Sequence, residues 1–217
     1  MAFNINSYFE GLVSHLIRRK RELRALAVMS ATEHWVQFEG AALLATKRDQ
    51  FGLGGSKNGV PKWLVAAERG KLDLWITNYK TAYVIEFKAV HNNKNFYEKV
   101  RQTRSDLSRS KIPDDYPLPP AAAPPRRWAI VVLTYTHYQS GQEGHFSPLR
   151  AERQLVQGSE FQELLRGELR SLDQRYEKMP SAKILDVRPI VELDDAPYIE
   201  RGHGSCVALA LVGGCNG

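Results

Sequence analysis

Residues 71–88 read Lys-Leu-Asp-Leu-Trp-Ile-Thr-Asn-Tyr-Lys-Thr-Ala-Tyr-Val-Ile-Glu-Phe-Lys, two runs of β-branched and aromatic residues on either side of a turn near Asn78 to Thr81. A hairpin folded symmetrically about that turn sets Asp73 across from Glu86. Strand side chains alternate, so Asp73, Glu86 and Lys88 share one face, while Leu72, Leu74, Ile76, Tyr83, Ile85 and Phe87 share the other. The apolar face is the expected core. The other, expected to be exposed, gathers two carboxylates and an amine. Like charges opposite each other on a sheet repel, so this pair calls for a cation, either Lys88 or a divalent metal.

Working outward, strand patterns cover about residues 63–68, 72–77 and 82–90, and a helical pattern on Phe96, Val100, Thr103 and Leu107 runs from about 94 to 109. Six prolines between residues 113 and 125 mark an irregular connection, and 127–136 reads as a buried strand. A helix opening at the capping box Ser159-Glu-Phe-Gln162 and two strands, about 182–192 and 205–213, complete the chain. Before the hairpin, apolar residues from Ile5 to Leu26 recur at helical spacing with a basic opposite face. A second helix runs from the capping box Ser30-Ala-Thr-Glu33 to about Lys47. The segment Phe51–Gly59 lacks the spacing of a phosphate-binding loop and reads as a flexible loop. The expectation is one domain over residues 1–217, with a core of about 30–136, an N-terminal helix over 5–27 and a C-terminal extension over 137–217.

The composition of the 217 residues is globular, with 43% hydrophobic and 25% charged. A net charge of +6 and a pI of about 9.3 favour an anionic partner, with nucleic acid first among the candidates. No apolar run approaches the roughly 20 residues of a membrane span, and the basic cluster at Arg18–Arg21 follows the apolar stretch, the reverse of a secretory signal. Cys206 and Cys215, with only His203 close in sequence, make neither a disulfide framework nor a zinc knuckle. A reducing, cytoplasmic setting is expected, with no membrane partner.

Two acids sit on the second helix. Glu33 occupies the capping-box position and is explained by it. Glu39 lies about 40° from Trp35 on the helical wheel, beside Phe38, Ala42 and Leu43, and an acid in such a stripe needs a partner. Cations at Lys94, Lys99, Arg101, Arg104, Arg109 and Lys111 line the helix after the hairpin and its end, a pattern suited to sequence-independent phosphate contacts. His91-Asn92-Asn93 is a strand-to-helix connection in which Asn93 caps the helix.

A helix with an inner Glu, a strand, a strand bearing Asp73, a strand bearing Glu86-Phe87-Lys88, a basic helix and a further strand together resemble the restriction-endonuclease-like PD-(D/E)xK nucleases over about residues 30–136. Leu72 replaces the proline of the motif. The resemblance implies an α/β fold with a central mixed β-sheet flanked by helices (α-β-β-β-α-β) and hydrolysis of phosphodiester bonds, most naturally in DNA. It implies that Asp73, Glu86 and the Phe87 carbonyl bind Mg²⁺ or Mn²⁺, that Lys88 positions and helps deprotonate the attacking water, and that Glu39 joins the metal shell. Gln102 stands where related repair nucleases carry a helix Gln. Hard carboxylate oxygens suit Mg²⁺, in keeping with the absence of a Cys/His cluster in the sequence motif. The rival expectation is a catalytically silent nucleic-acid-binding or scaffold module of the same fold within a larger complex. Cutting both strands of a duplex would call for a homodimer or a partner protein.

Overall fold

The computed structural model describes residues 2–28, 32–69, 72–92, 95–108, 124–137, 163, 165–167, 182–197 and 199–214. The fold is mixed α/β. Six strands form one mixed sheet: β3 (Leu64–Arg69), β4 (Leu72–Thr77), β5 (Ala82–His91), β6 (Arg126–Tyr135), β7 (Ala182–Glu192) and β8 (Cys206–Gly214), in the order β3-β4-β5-β6-β8-β7. Among the described strands of this sheet, only the β5–β6 pair is parallel. Its crossover carries α4 (Phe96–Ser108), while α1 (Ile5–Arg18), α2 (Lys20–Val28) and α3 (Thr32–Thr46) precede the sheet.

Alternation along the strands divides the core. Ile85, Phe87, Trp128, Ile130, Val132, Leu209 and Leu211 pack with α1–α3, whereas Val90, Ala129, Val131, Leu133, Ala208 and Ala210 pack with Phe96, Val100 and Leu107 of α4. Helices therefore cover both faces of the central strands. This overlay reverses the expectation that the face bearing Glu86 is exposed: Glu86 is 2% exposed beneath α4.

The helix expected over residues 5–27 is two helices. Arg19, with φ −107°, is the C-cap of α1, its N–H donating to Ile17 and Leu16 carbonyls, and the chain turns there into α2. The Phe51–Gly59 segment is also more ordered than a flexible loop. A 3₁₀ turn (Arg48–Phe51) leads to a two-strand ribbon, β1 (Ser56–Lys57) and β2 (Val60–Pro61), closed by Asn58-Gly59 with φ of 54° and 77°. Both central φ values are positive, the condition of a type I′ turn, which favours Asn-Gly.

The strands at 182–192 and 205–213 stand within a residue of their expected limits, but β8 enters the sheet between β6 and β7 and so belongs to the core. No helix among the described residues is long and apolar enough to cross a membrane. The expected residue-159 helix is described only at 163 and 165–167, all helical, with Leu165 fully buried. Residues 113–123 of the proline-rich connection, together with Ser30, Asn93, Lys94, Arg109 and Lys111, lie outside the described residues.

Candidate active site

The hairpin has the register expected of its sequence: Leu74 faces Ile85, Trp75 faces Val84, Ile76 faces Tyr83 and Thr77 faces Ala82. Asn78 closes it, its Oδ1 accepting from the N–H groups of Lys80 and Thr81 at 3.0 and 2.8 Å. Asp73 and Glu86 come next in line, and there the ladder stops. Phe87 N–H donates to Asp73 Oδ2 at 2.6 Å, and Ala89 N–H donates to Glu33 Oε2 at 2.7 Å. Two carboxylates thus take the places of strand carbonyls where β4 leaves β5. N–H and C=O of one strand residue point to the same side, so the Phe87 carbonyl faces the same gap.

On β3, Ala67 and Arg69 face Leu74 and Leu72, which brings Glu68 beside Asp73. Glu68 has φ 54°, a conformation costly for a non-glycine residue, and its carboxylate accepts from Gln37 Nε2 of α3. Exposure grades across the group: Glu68 is exposed, Glu33, Asp73 and Lys88 are half-buried, and Glu86 lies at the bottom. Lys88 Nζ is 3.1 Å from Asp106 Oδ2 of α4, and Arg127 Nη1 is 3.7 Å from Glu86 Oε1. The latter separation makes an ion pair without a hydrogen bond, and Glu86 Oε1 is buried with no hydrogen-bond donor.

Among the described residues, five acids, Glu33, Glu68, Asp73, Glu86 and Asp106, are thereby set against two cations, Lys88 and Arg127. Burial, then repulsion from Asp73 and Asp106, pushes the Glu86 carboxyl up to about 7 despite Lys88 and Arg127. Asp73 is also raised, first by burial, although the Phe87 N–H and Lys88 oppose the shift. For Lys88 burial acts downward, but Asp106, with smaller help from Asp73 and Glu33, outweighs it and the net shift is upward. Lys88 is therefore an ammonium at neutral pH. In that form it can orient a water or face an anion.

Comparison of the chain with protein families, curated proteins and solved structures gives no match.

The remaining expected site residues fall as follows. Glu39 is not brought to this group: its carboxylate binds His15 Nε2 at 2.6 Å and the guanidinium of Arg19, which also lies over Trp35, 5.1 Å from the ring centroid. The inner face of α3 is Val36, Gln37, Gly40, Leu43 and Leu44, and Phe38 is 60% exposed. Trp35, Phe38, Ala41 and Ala42 give α3 apolar residues outside that face too, so the helical wheel alone misplaces the stripe. Gly40 lets this face approach closely, since a Cβ there would strike the Tyr8 hydroxyl and stand 3.0 Å from Phe87 Cζ. That orientation carries Glu33 to the gap. Gln102 Nε2 donates to Glu98 on its own helix at 3.0 Å. Arg104, expected to meet phosphate, is 4% exposed, with Nε and Nη2 lacking hydrogen-bond partners. Lys99 is half-buried and Arg101 exposed.

Glu33, Glu68, Asp106 and Arg127 are members of the group that the sequence does not single out. A cap suffices to explain Glu33, and Asp106 stands on α4 as one acid among several basic residues, with nothing local to mark it. Only the tertiary pairing with Lys88 marks Asp106.

Proposed function

We propose that the chain is a metal-dependent nuclease of the restriction-endonuclease-like, PD-(D/E)xK kind, hydrolysing phosphodiester bonds in DNA with Mg²⁺ or Mn²⁺. The observation that carries this reading is Glu86: a buried carboxylate with one oxygen lacking a donor, beside Asp73 and the Phe87 backbone, in a group where acids outnumber cations. Leaving such an oxygen bare is costly, and a divalent cation would satisfy it and offset the repulsion. The order α3-β3-β4-β5-α4-β6 supports the same reading.

Asp73, Glu86 and the Phe87 carbonyl would hold the cation, with Glu33 the helix acid near enough to assist in place of Glu39. Bound there, the cation would supply positive charge to a leaving oxygen and acidify a water. Lys88, held by Asp106, would present its ammonium to a phosphate oxygen or the attacking water. Arg127 would keep Glu86 in place from the β6 side. Lys99 and Arg101 would contact the DNA backbone without reading its sequence.

The test is incubation of plasmid and linear DNA with the purified chain, with and without Mg²⁺ or Mn²⁺. Metal-dependent cutting is expected, and Asp73→Asn, Glu86→Gln and Lys88→Ala should each abolish it while the melting transition stays cooperative. Cutting at the wild-type rate in all three variants sinks the assignment. A second reading, a silent nucleic-acid-binding or scaffold module, draws on the pairing of Lys88 with Asp106, which occupies the ammonium. It predicts DNA binding without cleavage under every metal condition.

A further inference from the structure

A second cluster of ligating side chains stands apart from the acids, beyond the C-terminal end of β6. His137 follows that strand, and Glu200 and His203 lie in the loop between β7 and β8. Their ligand atoms, one from each, all lie within 4.8 Å of one another, and among the described residues this is the group of three or more His, Cys, Asp or Glu that meets that condition. His137 Nε2 is 3.1 Å from Glu200 Oε2, and His203 Nε2 is 3.7 Å from Glu200 Oε1. Val131 is the β6 residue opposite Lys88, and His137 lies six residues further along, two past the end of β6 at Tyr135. At about 3.3 Å per residue that is roughly 20 Å, so the two clusters are independent.

The backbone under the three residues is tied down. Glu200 N–H donates to the His137 carbonyl at 2.8 Å, and His137 N–H donates to Ser205 Oγ at 2.9 Å. Asp194 accepts from Gly202 N–H and Ser205 N–H, both at 3.1 Å, and Leu193 N–H donates to the Ser205 carbonyl at 2.7 Å. Gly202 and Gly204, with φ of 82° and 66°, bracket His203 and allow the turn that aims it at Glu200. Sequence spacing hides this cluster, because Glu200 and His203 are 63 and 66 residues after His137 and lie on a different connection.

We propose that His137, Glu200 and His203 form a zinc-binding site, with a fourth position left to water or an incoming ligand. Two imidazoles and a carboxylate are the donor set that zinc takes when it keeps an open position, and imidazole favours transition metals over Mg²⁺. The rings are now parallel, 3.9 Å between centroids and 5° between planes. An imidazole lone pair lies in its ring plane, so one ring must rotate out of the stack to aim at a shared ion. The backbone bonds above leave side-chain rotation as the required change. A bound ion would join the end of β6 to the β7–β8 loop.

The test uses untagged full chain, stripped with a chelator, titrated with Zn²⁺ and with Mg²⁺ by calorimetry, with melting curves alongside. One equivalent of Zn²⁺ should bind and raise the melting temperature, and Co²⁺ in its place should give the visible spectrum of a four-coordinate site. His137→Ala, Glu200→Gln and His203→Ala should each weaken Zn²⁺ binding at least about 100-fold, since even loss of an outer partner costs about 10–100-fold. Asp73→Asn should leave Zn²⁺ binding intact, which separates this site from the proposed nuclease centre. His203 is partly exposed on a loop, so His203→Ala is informative even if His137→Ala fails to fold. Absence of Zn²⁺ binding in the wild type, or undiminished binding in His203→Ala and Glu200→Gln, overturns the proposal.

Discussion

A buried carboxylate with a raised pKa makes stability depend on pH in a particular direction. Glu86 titrates in the fold at about 7 against an ordinary value of 4.5. Its contribution is fully present below about 4.5, where folded and unfolded forms are both protonated, and is lost as pH rises to about 7. The loss is on the order of 3 kcal/mol, because the shift from 4.5 to about 7 spans about 2.5 pKa units at about 1.4 kcal/mol each. Glu86→Gln should flatten the stability curve between about pH 5 and 7, measured by urea melts across pH in chelator. An unchanged slope would show that Glu86 does not carry the cost. The two α3 acids separate in the same way. Glu33→Gln should diminish stabilisation by Mg²⁺, whereas Glu39→Gln should lower the melting temperature by loosening its hold on His15 and Arg19 and leave the Mg²⁺ response intact. The reverse pattern would return Glu39 to the site.

Among the elements, the hairpin is the most legible in sequence, because turn chemistry and a period of two act within a few residues and fix the register without outside help. The faces of α3 are not legible: apolar residues surround much of it, and its orientation is decided by the fit of Gly40 against Tyr8 and Phe87. The break at Arg19 is hidden too, since apolar spacing continues through it from α1 into α2. The Asn58-Gly59 turn is readable from its dipeptide alone but is masked by the glycines around it. Helix α4 divides its cations. Arg104→Met should raise stability by roughly 1–2 kcal/mol, since it removes a buried charge with partnerless donors, and should leave the salt dependence of DNA binding unaltered. Lys99→Ala with Arg101→Ala should weaken DNA binding on unrelated sequences and reduce the salt slope by about 1 for each phosphate no longer neutralised. A salt slope that responds to Arg104 instead would mean that the helix exposes its other side on binding.

For the molecule as a whole, chain order and sheet order part company after β6. The last strand lies between β6 and β7, with Leu209, Ala210 and Leu211 paired on both sides and fully or almost fully buried. Local patterns place each strand but carry no record of which neighbour it takes, so the final position of β8 is beyond reach of the sequence. A chain ending at Ser205 should therefore lose its cooperative melting transition, because removal of β8 opens the sheet and strips apolar cover from both faces. A truncated chain that still melted cooperatively would show that the rest of the sheet stands alone.

Strand β7 closes one side of that sheet, and its outer rim decides what else can attach there. Register shifts interrupt it between Ile184 and Asp186 and again between Pro189 and Val191. Pro189 has no N–H to give, and Arg188 reaches away to Glu10. A stray strand trying to extend the sheet would meet bends, a missing donor and a charged neighbour within a few residues. Self-assembly of this protein by strand addition is disfavoured on that side, and Pro189→Val should be the substitution that invites aggregates through β7 in light scattering on gentle heating.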